Sequence, residues 1–428
     1  MLELLDLRNR RGRLERRGLE IDPAVADVVR GIIDRVRAEG DDALFDLTLK
    51  LDGADLRATG LTVSPEEFQR AEETVPSELK AALDALIERL TDLHRRQLPM
   101  EWWDEREGIR FGEVVRPITR AGCYVPGGRA EYPSSVAMTV VPAIVAGVEE
   151  VVVCTPPSPD GSIHAPVLYT AARAGATSVV KLGGAQAVAA LAFGTESIQA
   201  VDRIVGPGNV CVTEAKRQVA GSVGIDGLAG PTELAVVADA SADPAWIAAD
   251  LVAQAEHDPD ALAVLVAFDE DVVHRVEGAI DAEVARAGRR DVVTAALAHA
   301  RTLLVADDDQ AIEVLDRLAP EHVHVVLADA PPFAKRIRNA GVIFVGGFTP
   351  VPFGDYGVAS NHVLPTGGTA RFSSGLRSVD FVKVMSVVEI SDEAAVRLAP
   401  EVARIALAEG LPGHARAVEI RAEGPRPT

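Results

Sequence analysis

The sequence predicts an α/β protein with two successive parallel sheets, and three observations lead to this fold class. From about residue 113, short β-branched runs such as Val151–Thr155 alternate with Ala-rich helical stretches. A second series of the same kind starts at Glu233. Such alternation is typical of βαβ units, whose strands run parallel. The length of 428 residues agrees with two main domains, because domains usually contain about 100–200 residues.

Helices precede both series. Pro23–Glu39 has apolar residues at helical spacing and is followed by Gly40, a stop signal. Ser64 followed by Pro65 is typical of a helix start, since Pro is favoured at the first helical position. Val75–His94 continues the helical pattern. The Arg-rich segment before these helices lacks the apolar core of a signal peptide, so we expect an N-terminal arm.

The two series predict the following elements. The first has strands at Val151–Thr155, Ser178–Leu182 and Arg203–Val205, and helices at Ser134–Gly147, Pro166–Ala174, Ala185–Phe193 and Asn209–Ala220. The second has a helix at Pro244–His257 and strands at Glu233–Ala238, Leu262–Phe268, Thr302–Ala306, Val323–Leu327 and Val342–Val345. Neither contains G-x-G-x-x-G, so we expect Rossmann-like sheets without that dinucleotide fingerprint.

Residues 346–376 interrupt the alternation with Gly, Pro, Ser and Thr. Loops longer than about 12–15 residues are usually functional or disordered, and this one contains Asp355, Asn361 and His362. We therefore expect a functional loop. The helical tail that starts with Asp392–Glu409 is too small to fold alone, so it must dock on the body or on a partner subunit.

Composition excludes several classes of function. Acidic residues outnumber basic ones, 64 to 43, which gives a formal charge of −21. A negative surface is unsuited to nucleic acids and is repelled by anionic membranes. No apolar run approaches the roughly 18 residues of a membrane span. The chain has three cysteines, a small and odd number that does not indicate a disulfide framework. Because disulfides are rare in reducing compartments, we expect a cytoplasmic protein.

Gln254 and His257 are the first candidate for metal chemistry. They are three residues apart near the predicted end of a helix, so they share a face. An amide oxygen and a neutral imidazole could begin a zinc or other divalent site. The alternative is a His placed favourably on the helix dipole beside an exposed Gln.

Glu321, His322 and His324 surround the start of a predicted strand. Glu beside His is a possible acid–base pair, because His titrates near neutral pH and the pKa of Glu can be raised. His322 and His324 could instead be two metal ligands on one strand face, or an ordinary polar strand entrance. Ligand sites in open α/β sheets usually lie at the carboxyl ends of strands, which weighs against this position.

Asp355 in the long loop and His414 in the tail could complete a four-ligand set with Gln254 and His257. That arrangement requires the tail to fold back, or the tail of a neighbouring subunit to reach over. The alternative is that these isolated residues lie at the surface, as we expect for His94.

Glycine-rich turns are the candidate cofactor site. The segments Gly183-Gly184-Ala185-Gln186 and Gly206-Pro207-Gly208-Asn209 each follow a predicted strand and open a predicted helix, and Tyr124-Val125-Pro126-Gly127-Gly128 is a third such turn. Glycine there lets the backbone approach phosphates, although such turns also occur without a ligand. Cys154 and Cys211 lack a nearby His in sequence, so we expect inert thiols rather than nucleophiles.

The motifs become specific when they are taken together. They are Gly122–Gly128, Tyr132–Ser135, GGAQAVAALAFGT (183–195), GPGNVCVTEAKRQV (206–219), AGPTEL (229–234), QAEHD (254–258), PEH (320–322), GDYGVASNHVLPT (354–366), FSSGL (372–376) and EGLPGHARAVEIR (409–421). In this order and spacing, the chain from about residue 20 to about residue 422 resembles the histidinol dehydrogenase family.

The resemblance implies an NAD-dependent, four-electron oxidation of L-histidinol to L-histidine through L-histidinaldehyde, the last step of histidine biosynthesis. It implies two NAD and one Zn2+ at each active site. The implied zinc ligands are Gln254, His257, Asp355 and His414. The implied substrate contacts are Thr232, Gln254, His257, His322, Asp355, His362, Glu409 and His414. The implied NAD contacts are Tyr124, Gln186 and Asn209, and the implied acid–base residues are Glu321 and His322.

The resemblance also implies a homodimer whose helical tail crosses to the partner subunit, where Glu409 and His414 complete the site. The expected regions are an N-terminal arm (1–20), a first α/β domain with the metal and catalytic residues (21–122 and 233–370), a second α/β domain with the NAD turns (123–232) and a C-terminal dimerisation tail (371–428). One residue departs from the family: Thr232 stands where Ser is common, which keeps the hydroxyl but tightens the pocket.

Three alternatives stay open at the level of sequence. The nearest is a related zinc- and NAD-dependent dehydrogenase that oxidises another small polar alcohol on the same scaffold. A second is a zinc hydrolase with His322 and His324 as ligands, which would act without NAD. A third is a metal-binding protein without catalytic activity. The presence of Glu321 and His322 disfavours this alternative.

Overall fold

The structure is a computed structural model that describes residues 2–8, 18, 21–127, 131–358 and 360–423. The chain divides into two compact units, Met1–Gln97 with Ile118–Phe381 and Leu98–Pro117 with Val382–Thr428. Most of the predicted N-terminal arm, including 9–17 and 19–20, lies outside the described residues, as does Gly128.

The elements have the following bounds. The strands are β1 (Glu3–Asp6), β2 (Trp102–Arg106), β3 (Ile109–Pro117), β4 (Arg120–Tyr124), β5 (Glu150–Thr155), β6 (Ser178–Lys181), β7 (Arg203–Val205), β8 (Gly224–Ile225), β9 (Glu233–Ala238), β10 (Leu262–Ala267), β11 (Arg301–Leu304), β12 (His322–Val326), β13 (Val342–Val345) and β14 (Val382–Ile390). The helices are α1 (Pro23–Glu39), α2 (Asp41–Asp52), α3 (Pro65–Thr74), α4 (Ser77–Arg95), α5 (Pro133–Ala146), α6 (Ala165–Ala174), α7 (Gly184–Phe193), α8 (Val210–Val219), α9 (Pro244–Ala255), α10 (Glu270–Arg286), α11 (Arg290–Leu297), α12 (Asp308–Leu318), α13 (Ala330–Ala334), α14 (Val351–Asp355), α15 (Asp392–Ala408) and α16 (Pro412–Ala422).

A six-stranded parallel sheet occupies one half of the first unit, in the order β1-β11-β10-β9-β12-β13. Every residue of β9 and β10 is buried, as expected of a parallel sheet that helices cover on both faces. One face packs against α9 and α10 through side chains such as Ile247 and Val276. The other face packs against α12 and α13 through Leu315 and Phe333.

A five-stranded parallel sheet forms the other half, in the order β6-β5-β4-β7-β8. Helices α1, α2, α7 and α8 cover one face and α4, α5 and α6 cover the other. The two parallel sheets confirm the predicted α/β class, and the predicted strands lie within one or two residues of the observed ones. The helix predicted at Ser64 is also confirmed, with a capping box between Ser64 and Glu67.

The second unit contains an antiparallel sheet that the sequence did not predict. Its order is β14-β3-β2, and β3 pairs along its whole length with β14, from Val382 opposite Pro117 to Ile390 opposite Ile109. Most side chains of these strands are exposed or half-buried, so no buried–exposed alternation marks them in the sequence. The predicted C-terminal helices are present as α15 and α16, which pack through Ala403, Ala406 and Ala415.

The long loop between β13 and β14 is better ordered than predicted. It contains the short helix α14 and a 3-10 turn at Thr369–Arg371. The buried Asn361 fixes it to α5, because its Nδ2 donates to the Met138 carbonyl at 2.7 Å and lies 3.2 Å from His94 Nε2. His94 is fully buried, so its predicted surface position is wrong. Across the described ranges, no helix is both long and apolar enough to span a membrane.

Candidate active site

Four of the side chains predicted to be catalytic, to bind metal or to contact substrate meet at the amino-terminal edge of the six-stranded sheet. Thr232 directly precedes β9, Glu321 directly precedes β12, and His322 is the first residue of β12. Helix α9 returns antiparallel to β9, so Gln254 in its last turn reaches the same edge and contacts Thr232. Open α/β sheets usually bind ligands at the opposite, carboxyl edge, so this cluster lies at the less common edge for a ligand site.

Helix α9 is two residues shorter than predicted. It ends at Ala255, and His257 lies in the following turn, with its amide nitrogen 3.4 Å from the Gln254 carbonyl oxygen. The His257 side chain is open to solvent at the mouth of the site. Surrounding protein atoms still desolvate the ring and lower its pKa, although the nearby charge of Glu321 opposes this effect. The ring therefore stays neutral at physiological pH and keeps a lone pair for a cation.

A hydrogen-bond relay links Gln254, Thr232 and Glu321. The Thr232 hydroxyl donates to Glu321 Oε2 at 2.5 Å and accepts from Gln254 Nε2 at 2.8 Å. An ionised carboxylate only accepts, so the hydroxyl must donate to it and the amide NH2 must face the hydroxyl. This direction turns the Gln254 Oε1 atom out of the relay. The methyl group that Thr adds leaves the hydroxyl's two hydrogen bonds intact.

Glu321 is buried at the centre of this edge. Besides Thr232, the Glu233 backbone N–H donates to its Oε2 at 3.0 Å. Burial raises the pKa of Glu321 to about 7, although both hydrogen bonds act to lower it. A carboxylate with a pKa near neutral pH can take a proton and release it within one catalytic cycle.

His322 presents one free ring nitrogen to the site. Its Nδ1 lies 3.1 Å from the Glu233 carbonyl oxygen, which can only accept, so Nδ1 carries the hydrogen. Nε2 is buried without a hydrogen-bond partner among the described residues, and Asp355 Oδ1 lies 3.8 Å away. Burial lowers the pKa of His322, partly opposed by the charge of Asp355. The neutral ring thus holds an unshared lone pair on Nε2, as a general base requires.

Asp355 and His362 join the same edge from the long loop. Burial raises the pKa of Asp355 to about 6. Burial lowers the pKa of His362 to about 4, so this ring is neutral at pH 7. His362 donates from Nδ1 to the Asp355 carbonyl oxygen at 2.9 Å and accepts on Nε2 from the Ser135 hydroxyl at 3.1 Å. Ser135, which sequence reasoning singled out only as part of a motif, therefore fixes the orientation of His362.

The first unit supplies donor atoms suited to zinc but not a complete metal cage. The Gln254 oxygen, the neutral His257 ring and the Asp355 carboxylate are ligand types that zinc accepts. Within the described parts of the chain, no group of three or more His, Cys, Asp or Glu side chains is gathered closely enough to hold an ion. These donors fit a site that needs a further ligand.

Glu409 and His414 belong to the second compact unit. Glu409 is the C-cap of α15, and His414 lies in the first turn of α16. Both side chains are exposed. Both are therefore accessible to groups beyond their own helices.

The carboxyl edge of the five-stranded sheet carries the glycine-rich turns. Tyr124 ends β4 and is buried, and its hydroxyl accepts from the Gly184 N–H at 3.1 Å. Gly206 follows β7 with φ +113°, and a Cβ there would lie 2.0 Å from the Tyr124 carbonyl oxygen. Only glycine fits this position, which brings the backbones of two neighbouring turns into direct contact.

The two other predicted NAD contacts lie at the starts of helices on this edge. Asn209 is the exposed N-cap of α8, and its Oδ1 accepts from the N–H groups of Cys211 and Val212 at 3.0 and 3.2 Å. Gln186, in the first turn of α7, is 1% exposed, and its Oε1 is buried without a hydrogen-bond partner among the described residues. A cavity of about 330 Å³ opens beside the turn that follows Tyr124, with Pro126, Gly127, Thr155 and Pro156 in its lining.

A buried ion pair holds the Gly206 peptide from both sides. Lys216 is 2% exposed and donates to the Gly206 carbonyl oxygen at 3.0 Å. Asp226 accepts from the Gly206 N–H at 2.7 Å and also pairs with Lys216. Both hydrogen-bonding groups of this glycine are thus satisfied by the protein. The turn that opens α8 therefore has a fixed conformation.

Two alternatives from the sequence fail on geometry. Both ring nitrogens of His324 are occupied, Nδ1 by Asp250 at 2.8 Å and Nε2 by the Gly346 carbonyl at 2.9 Å. The alternative of His322 and His324 as paired metal ligands therefore does not fit the geometry. Cys154 is fully buried and burial raises its pKa, and burial also raises the pKa of the half-buried Cys211. A raised pKa disfavours the nucleophilic thiolate, which agrees with the expectation of inert thiols.

Comparison with known proteins gives one consistent result. A family model described as histidinol dehydrogenase matches residues 14–422. Proteins named histidinol dehydrogenase from Brucella suis and Rhizobium meliloti are 45% and 46% identical to the chain, covering 94% of it and 94% and 93% of their own lengths. A crystal structure of histidinol dehydrogenase from Elizabethkingia anophelis superposes with a TM-score of 0.93 at 32% identity, covering 99% of the chain and 98% of that structure.

Proposed function

The chain belongs to the histidinol dehydrogenase family, and from this premise we propose that it oxidises L-histidinol to L-histidine through L-histidinaldehyde. The observation that carries the proposal is the buried, unpartnered Nε2 of His322 beside a Glu321 whose pKa is about 7. A base and a second group that titrates near neutral pH are what two successive oxidations of one carbon require.

In the first oxidation His322 acts as the base. Its Nε2 takes the proton of the substrate hydroxyl while the same carbon loses a hydride, which leaves the aldehyde. The Glu233 carbonyl accepts from Nδ1–H at 3.1 Å and stabilises the imidazolium that forms. NAD would supply the hydride acceptor for this step and for the second one.

In the second oxidation Glu321 acts on water. Its carboxylate takes a proton from a water molecule as the oxygen attacks the aldehyde carbon, and the imidazolium of His322 returns its proton to the aldehyde oxygen, which gives the hydrate. The neutral His322 then takes a proton from a hydroxyl of the hydrate as the carbon loses a second hydride, which yields the acid. Thr232 and the Glu233 N–H stabilise the ionised form of Glu321 before the attack, and burial favours the protonated form after it.

Zinc and substrate would share this edge of the sheet. We propose that zinc is held by Gln254, His257, Asp355 and His414. The ion would supply a Lewis acid that orients the amino and imidazole nitrogens of the substrate. Substrate would contact Thr232, Gln254, His257, His322, Asp355, His362, Glu409 and His414. A substrate group at His362 would compete with Ser135 for the Nε2 atom.

NAD would bind at the glycine-rich edge of the five-stranded sheet, with contacts from Tyr124, Gln186 and Asn209. Support comes from the backbone turns, the buried Gln186 oxygen and the neighbouring cavity of about 330 Å³. Helix N-termini attract phosphates because their N–H groups and dipoles point at the ligand. The sequence also favours a cytoplasmic location for the enzyme.

A homodimer would bring His414 and Glu409 of one subunit to the partner's site. Support comes from the exposed apolar side chains of the second unit, with Val388, Ile405 and Leu407 exposed by 63%, 57% and 55%. Apolar surface of this extent is typical of protein interfaces. The two exposed polar residues lie next to it in sequence, in the same helical tail.

One assay tests the function. Purified protein should reduce NAD only when L-histidinol is present, with two NAD reduced for each histidine formed. Chelation should abolish the reaction and added zinc should restore it. A panel of other small polar alcohols provides the control. Preference for another alcohol, or activity without NAD, would contradict the proposal.

A further inference from the structure

His324 forms a buried polar centre two residues beyond the predicted base. It is 1% exposed, its Nδ1 lies 2.8 Å from Asp250 Oδ2, and its Nε2 lies 2.9 Å from the Gly346 carbonyl oxygen. A carbonyl only accepts hydrogen bonds, and so does an ionised carboxylate. Nε2 therefore donates to the Gly346 carbonyl, Nδ1 shares a hydrogen bond with the Asp250 carboxyl group, and both ring nitrogens are engaged.

The three partners belong to three elements that carry the candidate active site. Asp250 lies on α9 one turn before Gln254, so the two side chains share a helix face. His324 lies on β12 two residues after His322, on the same face of the strand. Gly346 directly follows β13 and begins the segment that leads to Asp355 in α14. A single ring thus ties together the helix, the strand and the loop.

We propose that His324 and Asp250 are a positioning pair that sets the spacing between the metal-binding end of α9 and the acid–base residues of β12. The proposal rests on the proposed function for the roles of Gln254 and His322. Neither His324 nor Asp250 touches the substrate in this scheme. The pair acts through the two elements, because a misplacement of about 1 Å between reacting groups can lower a rate about 10²-fold.

The first experiment compares two isosteric changes. Asp250→Asn removes the charge from the positioning pair, and Glu67→Gln removes it from a comparable buried pair, in which Glu67 Oε1 lies 2.7 Å from Lys181. Both variants should unfold at a lower temperature than the wild type. Asp250→Asn alone should lower kcat for histidinol and weaken zinc binding to the purified apoprotein, each by about 10-fold, since partners of metal-binding groups usually contribute 10- to 100-fold. The KM for NAD should stay within twofold in both.

The second experiment separates positioning from stability. In the double variant Asp250→Leu/His324→Leu, apolar side chains replace the positioning pair, an exchange that often preserves stability. We expect its unfolding midpoint near that of the wild type, with the same losses of kcat and zinc affinity. Normal kcat and zinc affinity in this stable variant would overturn the proposal, as would a parallel rise in the KM for NAD.

A third measurement needs no variant. Nitrogen NMR of the imidazole groups in the wild-type protein should show a hydrogen on Nε2 of His324, the nitrogen that faces the Gly346 carbonyl. A hydrogen-free Nε2 would contradict the bridge from His324 to Gly346. Failure of the proposed function has a different signature, because the wild-type protein itself would then show no histidinol-dependent NAD reduction while the zinc affinities would still report on the pair.

Discussion

The candidate site residues of this protein lie at opposite edges of its two parallel sheets. At the amino edge of the six-stranded sheet, titratable side chains meet: Glu321, His322 and Asp355 are all buried or half-buried there. At the carboxyl edge of the five-stranded sheet, glycine-rich turns meet, with Gly184 and Gly206 at positive φ. The same βαβ architecture thus provides two candidate sites of different chemical character.

Helix direction explains the difference. In a parallel α/β sheet, helices begin at the carboxyl edge and end at the amino edge. Helix N-termini carry partial positive charge and bind anions, while C-termini carry partial negative charge and favour cations. The end of α9 at Gln254 is therefore suited to a metal ion, and the starts of α7 and α8 are suited to the phosphates of a dinucleotide.

The largest effect is expected from a variant of His322, which tests whether proton transfer depends on the amino edge alone. His322→Ala removes the Nε2 atom that has no hydrogen-bond partner among the described residues, so kcat for histidinol oxidation should fall by about 10²–10⁴-fold, the usual contribution of a general base. The KM for NAD should not change, because the cofactor turns belong to the other sheet. Steady-state kinetics in both substrates measures the split. A rise in the KM for NAD as large as the fall in kcat would contradict separate roles for the two edges.

The next change tests whether Glu321 and His322 have separate roles at the amino edge. Glu321→Gln retains the size of the side chain and an acceptor for Thr232 but loses the base that activates water. Oxidation of the aldehyde should slow by about 10²-fold, and oxidation of the alcohol by less than about 10-fold. Single-turnover assays started from histidinol and from histidinaldehyde distinguish the steps. If both steps slow equally, the assigned role of Glu321 is wrong.

A smaller effect probes the carboxyl edge. Asn209→Ala removes the cap of α8, so the free energy of unfolding should fall by about 1 kcal/mol. The KM for NAD should rise by roughly 10-fold, the effect of about 1.4 kcal/mol of lost binding energy. Ser64→Ala, which removes the cap of α3, is the matched control with a similar loss of stability. Should Ser64→Ala raise the KM for NAD as much, Asn209 has no special contact with the cofactor.

The smallest effect is a pH dependence. Burial raises the pKa of Glu321 to about 7, and the active form is the carboxylate, so aldehyde oxidation should decline as the pH falls through about 7. Half of the maximal rate is expected near pH 7. Alcohol oxidation should vary less there, because the pKa of His322 is lowered and the ring is already neutral. A pH-independent aldehyde step between pH 6 and pH 8 would contradict this assignment.

Much of this fold follows from local sequence patterns. The buried strands such as β9 and the N-cap residues Ser64 and Asn209 are recognisable because they depend on neighbours within a few residues. The antiparallel pairing of β3 with β14 is not, because the two strands are far apart in the sequence and present few buried residues. Long-range pairing leaves no periodic signal where neither face is buried.

The site shows the same limit. Its residue types were identifiable from motifs such as Gln254 with His257 and Glu321 with His322, but their protonation states depend on burial and partners. The tautomer of His322 depends on the Glu233 carbonyl, and the His324 ring is held by Asp250 and the Gly346 carbonyl. Only three-dimensional contacts show that these two histidines on one strand have different surroundings.

The ion pair around Gly206 has a consequence for cofactor exchange in the proposed reaction. Since Lys216 and Asp226 hold this turn in place by themselves, it does not have to be assembled by an incoming nucleotide. A receptor that is already ordered loses little conformational entropy on each arrival. Under the proposed function, NAD would therefore meet a turn that is already formed, and the exchange of one dinucleotide for the next would need no rearrangement of this turn.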